Sequence, residues 1–458
     1  MPAPASASVQ SSLFDQSELT NAAAWLVEAA RRAGADAADA IAVRSMSLAV
    51  EVRDGAIEEA ERSESDDIGL RVLLGGRQAV VSTNDIKGDP AALAERAVAM
   101  ARVAPEDRFA GLADPATLAR DFPELDLVDN ELPAPARLEA LARAAEQAAL
   151  GVKGVTKSGG ASASAGIGGL VLVTSHGFSG AYIASRHNLS MVAIAGDGTA
   201  MERDYDFSSA LHAADLEDAD KIGRSAGERT VRRLNPRKVA TGRFPVVFDP
   251  RVAGSLVGHL SSAVNGSAIV RKTSFLKDKT GARLFRPGIR IIDDPLRRRG
   301  LRSRPFDGEG VAGHPLAIVE DGVLRSWLLD SATGRELGLP TTGHAQRGVS
   351  SGPSPGATNL HLAPGGKTAQ ALIADIAQGF YVVDLIGMGA NVVTGDYSRG
   401  AAGLWIENGT LAFPVSEVTI AGHLGEIFAN LEPADDLVFR YGTNAPTVRV
   451  EGLTVAGE

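Results

Sequence analysis

The sequence predicts an α+β fold whose strands and helices are segregated along the chain. It divides into an amino-terminal α/β two-layer region, a middle α+β region and a strand-rich carboxy-terminal domain. Three observations predict this. Alternating apolar residues flank Asp54-Gly55, Gly75-Gly76, Asp321-Gly322 and Asn408-Gly409, which are hairpin turns. Stretches with helical periodicity are few and lie between blocks of strands. From residue 237 onward, short strand patterns are punctuated by Gly and Pro. A chain of 458 residues exceeds one ordinary domain and predicts two or three.

Residues 1–16, rich in Ala, Ser and Pro, read as a flexible tail with neither a basic start nor an apolar signal core. The amino-terminal domain is expected over 17–110. Ser17 and Thr20 are candidate caps for a helix ended by Gly34, and a hairpin then turns at Asp54-Gly55. The sheet continues through Gly75-Gly76, and Pro90 opens a second helix. Recurrent prolines mark 111–135 as a connector. The middle domain, 136–236, opens with a helix from Arg137 to Leu150. It continues with strands over 170–174, 180–185 and 189–195 and closes with a charged helix over 215–233. The carboxy-terminal domain, 237–458, carries helices near 252–264 and 368–378.

Composition excludes several classes of function. There is no cysteine, so disulfides and thiolate chemistry are ruled out. A net charge of −10 opposes sequence-independent attraction to nucleic acid, making direct binding of it unexpected. No run of 18 apolar residues occurs, so no membrane association is expected and the cytoplasm is the default location. No His-Glu-x-x-His, Gly-x-Ser-x-Gly or Walker motif is present. Scattered histidines at 259, 314, 344, 361 and 423 read as hydrogen-bonded loop or core residues. The cluster Arg297 to Arg304, set between acidic segments, reads as a solvated loop, with contact to nucleic acid, to a peptide carboxylate or to an acidic partner subunit as the alternatives.

The densest combination of glycine with polar groups lies between Gly387 and Gly409. Asn391, Thr394, Asp396, Tyr397, Ser398 and Arg399 supply donors, acceptors and one fixed positive charge. They are the candidate substrate groove, with a tight sheet corner as the alternative.

Several segments taken in order resemble the TldD/PmbA family, also described as modulators of DNA gyrase. They are Arg271 to Leu276 (RKTSFL), Ser303 to Gly310 (SRPFDGEG), Thr394 to Gly400 (TGDYSRG) and Pro414 to Gly422 (PVSEVTIAG). The hairpin Val52 to Glu58 and the turn at Gly75-Gly76-Arg77-Gln78 join them. TldD-type members are metalloproteases with a His-Glu-x-x-x-His helix and a downstream cysteine ligand. In the matching helix here, Val257 and Gly258 replace the first His and the Glu, and Ser262 replaces the second His. His259 falls between the ligand positions.

The resemblance therefore implies a PmbA/TldE-type subunit with no metal of its own. It pairs with a TldD-like catalytic subunit, which holds zinc, and the two enclose a chamber in which unfolded peptides are degraded. In that picture the Gly-rich loop lines the groove, its glycine backbone pairing to an extended peptide as an added strand. Arg399 takes a peptide carboxylate, and Asp396 orients Arg399 or a backbone N–H. The alternatives are a stand-alone metallopeptidase using a non-local metal site and a binding modulator of gyrase.

Overall fold

The computed structural model describes residues 15–387 and 389–458; most of the expected tail lies outside them. Helix α1 (Ser17–Arg32) is followed by strands β1 (Ala37–Arg53), β2 (Ala56–Leu74) and β3 (Arg77–Thr83), then α2 (Pro90–Val103). Ser17 and Thr20 lie inside α1 rather than capping it. The N-cap position is Gln16, Asp15 accepts the Ser17 N–H at 2.9 Å, and the Thr20 hydroxyl donates to the Gln16 carbonyl. Asp89 caps α2 at the proline start that the sequence predicts.

After the connector come α3 (Pro135–Leu150), β4 (Val155–Thr174), β5 (Ser179–Ala195), β6 (Glu202–Ala210) and α4 (Ala219–Arg232). The strands β4 and β5 are much longer than their apolar cores suggest. The small-residue run at 158–164 lies inside β4, where Ala161 and Ala163 pack under the helices. All six strands form one antiparallel sheet in the order β3-β2-β1-β4-β5-β6, joined where β1 pairs with β4 from Asp39↔Thr174 to Val52↔Ala161. The regions 17–110 and 136–236 thus contribute three strands each to a single sheet. Helices α1 and α2 cover one apolar core, and α3 covers a second. Buried Glu146 on α3 accepts the N–H groups of Asp54 and Gly55 at 2.9 and 2.8 Å, tying the helix to the hairpin turn whose two residues both have positive φ.

The carboxy-terminal region starts with β7 (Gly242–Phe248), α5 (Pro250–Ala263) and α6 (Gly266–Val270). Short strands β8 (Ile291–Asp293), β9 (Leu316–Glu320) and β10 (Val323–Leu324) precede α7 (Ser331–Leu337), β11 (Ala345–Gln346), β12 (Ser354–Pro355) and β13 (Leu360–Leu362). Then follow α8 (Ala369–Ile373), β14 (Gln378–Ile386), β15 (Asp396–Glu407), β16 (Thr410–His423), α9 (Leu424–Asn430), β17 (Leu431–Pro433), β18 (Thr443–Asn444) and β19 (Val448–Ala456). Strands run β16-β15-β14-β7-β19, and β19 pairs back onto β16, closing a five-stranded ring. Helix α5 buries Leu256, Val257 and Leu260 in the main core with Phe248, Phe380 and Tyr397. The helix expected over 368–378 is the short α8, yet Leu372, Ile373 and Ile376 are buried as its pattern predicts.

The connector is fastened to the carboxy-terminal region. Ala119 N–H donates to the Gly310 carbonyl at 2.9 Å, and Ala312 N–H donates to Thr117 at 3.1 Å. Arg298 and Arg299 meet Asp126 at 3.0 and 2.6 Å, and Arg299 also meets Asp215 at 2.9 Å. Much of the basic cluster is therefore an internal clamp on the connector rather than a free solvated loop. Buried Asp39 of β1 pairs with Arg71 of β2 and with Arg347 of the carboxy-terminal region. A Cβ on Gly69 would sit 1.8 Å from the Val349 carbonyl, so the chain after Arg347 lies directly against β2.

Glu309, 3 % exposed at the same junction, accepts the Ser331 N–H at 2.8 Å. Burial, and then the Asp307 carboxylate, push its carboxyl up to about 7. An acid with a raised folded-state pKa holds a proton that the unfolded chain has released, so its stabilising contribution is complete below the unfolded value and lost as pH rises through the folded one. Glu309→Gln is expected to gain on the order of 2 kcal/mol over the parent chain between about pH 5 and about pH 8. Urea unfolding at the two pH values reads this, and an unchanged difference would refute it.

Candidate functional site

Asp249 caps α5 by accepting the Arg251 N–H at 3.0 Å, and Pro250 occupies the first turn. The apolar residues of α5 turn one face inward. Gly254, Gly258 and Ser262, four residues apart, share another face that is half-buried to exposed. Val257 is part of the apolar core. A Cβ on Gly258 would meet nothing within 4 Å, and the Ser262 hydroxyl donates to the Gly258 carbonyl at 3.1 Å. These three positions offer neither imidazole nor carboxylate, so a zinc ion does not fit them. Among the described residues, no group of three or more His, Asp or Glu is placed to hold a metal.

The Gly-rich run forms the end of β14, a tight connection, and β15; Met388 lies outside the described residues. In the connection, the Asn391 side chain accepts the Val393 N–H at 2.9 Å, Asn391 N–H donates to the Asp396 carbonyl at 2.8 Å, and the Thr394 hydroxyl donates to the Asp396 carboxylate at 2.6 Å. Asn391, Thr394, Asp396 and Ser398 are exposed, whereas Tyr397 is buried and Arg399 half-buried.

Two expectations are corrected here. Asp396 does not orient Arg399, because residues three apart on a strand point to opposite faces. Nor are the strand glycines free to pair with a peptide. Gly400 is opposite Ile386 on one side and Thr419 on the other, and Gly403 opposite Val382 and Val415. A Cβ on Gly403 would lie 1.9 Å from the Tyr381 carbonyl, so this glycine serves close strand packing.

The structure adds His259, which falls between the motif positions. Its ring stands edge-on to Tyr397 at 5.8 Å between centroids. Burial, and then Arg399, push its pKa down to about 4, leaving the imidazole neutral. His259 Nε2, the Tyr397 hydroxyl and Arg399 Nε are buried without hydrogen-bond partners among the described residues. Arg399 Nη2 donates to the Leu385 carbonyl at 3.2 Å. Three polar groups thus converge between α5 and β15, adjoining the exposed residues of the connection. No sequence signal pairs His259 with Tyr397, since they lie on elements joined only by the fold.

The two-layer sheet region and the closed strand ring that α5 packs against can be compared with known proteins. Residues 241–457 match the model of the PmbA/TldA metallopeptidase C-terminal domain, 129–234 that of the central domain and 38–101 that of domain 1. The chain belongs to the PmbA/TldD family. It is 36% identical over 428 residues to Metalloprotease PmbA of Escherichia coli, covering 92% of this chain and 93% of that one. It is 35% identical over 448 residues to the Haemophilus influenzae PmbA homolog, covering 96% and 97%. A Bacteroides thetaiotaomicron crystal structure named for modulation of DNA gyrase superposes with TM-score 0.89 at 28% identity, covering 96% and 99%. TldE of Thermococcus kodakarensis shares the fold, with TM-score 0.85 at 19% identity, covering 95% and 100%. No helix among the described residues is long and apolar enough to cross a membrane.

Proposed function

We propose that this chain is the non-catalytic, PmbA/TldE-like subunit of a two-component metalloprotease that degrades or processes unfolded peptides. The observation that supports this reading is the α5 face. Where a metallopeptidase of this family places two imidazoles and a carboxylate, the chain has Val257, which is buried, Gly258, which is half-buried, and Ser262, which is exposed. In this reading zinc and the hydrolytic water belong to a TldD-like catalytic partner. Exposed Asn391, Thr394, Asp396 and Ser398 line the groove that receives the peptide. Arg399, which lies with Tyr397 and His259 on the other face of β15 from Asp396 and Ser398, meets a carbonyl or carboxylate of the peptide on that side.

Reconstitution with a TldD-like subunit tests this. Expected are a stable complex, zinc recovered with the partner alone, and peptide hydrolysis by the pair that Arg399→Ala lowers at least tenfold, roughly one hydrogen-bonded charge's worth of binding. Stoichiometric zinc in this chain by itself, with chelator-sensitive proteolysis, would overturn the proposal in favour of a stand-alone metallopeptidase. Recovery of gyrase without any peptidase subunit would overturn it in favour of a binding modulator.

A further inference from the structure

A cavity of about 380 Å³ lies where β5 and β6 meet the first turns of α5 and the loops at 301–302 and 440–443. Four arginines line it, Arg186, Arg251, Arg302 and Arg440, and no acidic residue does, in a chain of net charge −10. Two of the four are neutralised from behind. Arg251 pairs with Asp204 at 2.8 Å, and Arg440 pairs with Glu217 and with Asp206. The other two have no carboxylate partner among the described residues. Arg186 donates to the Leu301 carbonyl at 2.9 Å, and among the described residues the Arg302 guanidinium makes no hydrogen bond, its backbone N–H donating to Asn359.

Like charges this close are unfavourable unless an anion joins them. Arg302 and burial both disfavour the protonated form of Arg186, burial being the larger effect. The Tyr441 hydroxyl on the cavity wall is buried without a hydrogen-bond partner among the described residues, and its ring meets Phe207 edge-on at 5.2 Å. Ser209 and Ser255 also line the cavity, their hydroxyls donating to the Asn188 side chain at 2.7 Å and the Val252 carbonyl at 2.6 Å.

We propose that this cavity binds a dianionic oxyanion, bridged by the Arg186 and Arg302 guanidiniums. Two planar forks match the two charges and several acceptor oxygens of a phosphate group or a small dicarboxylate. The Tyr441 hydroxyl supplies a further donor, and the Phe207 and Tyr441 rings accept an organic body. The site is built from this chain's own residues and does not depend on any peptidase partner.

Isothermal titration of the full chain with sodium phosphate and with disodium succinate, against sodium chloride at matched ionic strength, tests the site. Saturable one-to-one binding of either is expected, and whichever binds assigns phosphate or dicarboxylate as the class. Arg302→Gln is expected to weaken it at least tenfold, with Arg302→Lys between the two. The Arg302 guanidinium has no hydrogen bond to lose, so folding should be unaffected, and circular dichroism checks this. No saturable heat from either anion, or an affinity that Arg302→Gln and Arg186→Gln both leave unchanged, would overturn the proposal.

Discussion

Replacing Asp39 with alanine is expected to destabilise the chain by roughly 3–5 kcal/mol, the range for stripping one partner from a buried ion pair. Asp39 is 1% exposed and receives Arg71 Nε at 3.0 Å from β2 and the Arg347 guanidinium from the carboxy-terminal region. Burial raises its pKa, but Arg347 and Arg71 together outweigh burial and hold the carboxyl below its ordinary value. Its contribution is therefore present at neutral pH and lost as pH falls through the depressed folded-state value. In Asp39→Ala, the two buried guanidiniums lose the carboxylate they share. The fall in the urea midpoint measures this. The exposed pair Arg62–Glu64 is the control, since removing it should cost about 1 kcal/mol or less. A loss for Asp39→Ala no larger than the control would show that the junction carries little of the stability.

Phe306→Ala is expected to cost about 3–5 kcal/mol, as for other fully buried phenylalanines. The Phe306 ring is 1% exposed and contacts Phe178 at 5.2 Å, Phe122 at 5.3 Å and Tyr182 at 5.4 Å. These rings come from the carboxy-terminal region, the β4–β5 hairpin and the connector, so one truncation opens a cavity shared by three segments. Calorimetry is expected to show a lower main transition, with the amino-terminal sheet and the strand ring melting less cooperatively. An unchanged single transition would mean that the aromatic cluster does not couple the regions.

The sequence located hairpin turns well. Asp54-Gly55, Gly75-Gly76, Asp321-Gly322 and Asn408-Gly409 all connect paired strands. Their chemistry is local, because positive φ favours Gly, Asn and Asp wherever it occurs. Strand lengths were less legible. The run at 158–164 has no bulky apolar residues, yet it is strand because β1 and β5 hydrogen-bond it and α3 needs small residues beneath it. The basic cluster read as solvated because its partners, Asp126 and Asp215, are more than eighty residues away in sequence. The candidate site divided the same way. Local polar residues at 391–398 form the exposed connection, whereas His259 joins Tyr397 and Arg399 only across the packed core.

By itself the sequence determined the α+β class, the turn positions, the family resemblance and the absence of imidazole or carboxylate at Val257, Gly258 and Ser262. Each of these is a property of residue type and spacing. Only the tertiary structure decided that the first six strands form one sheet, that β15 is paired on both sides and that Arg186 and Arg302 share a cavity. Strand partners and charge neighbours are set by contacts between residues far apart in the chain, and nothing in local propensity or periodicity encodes them.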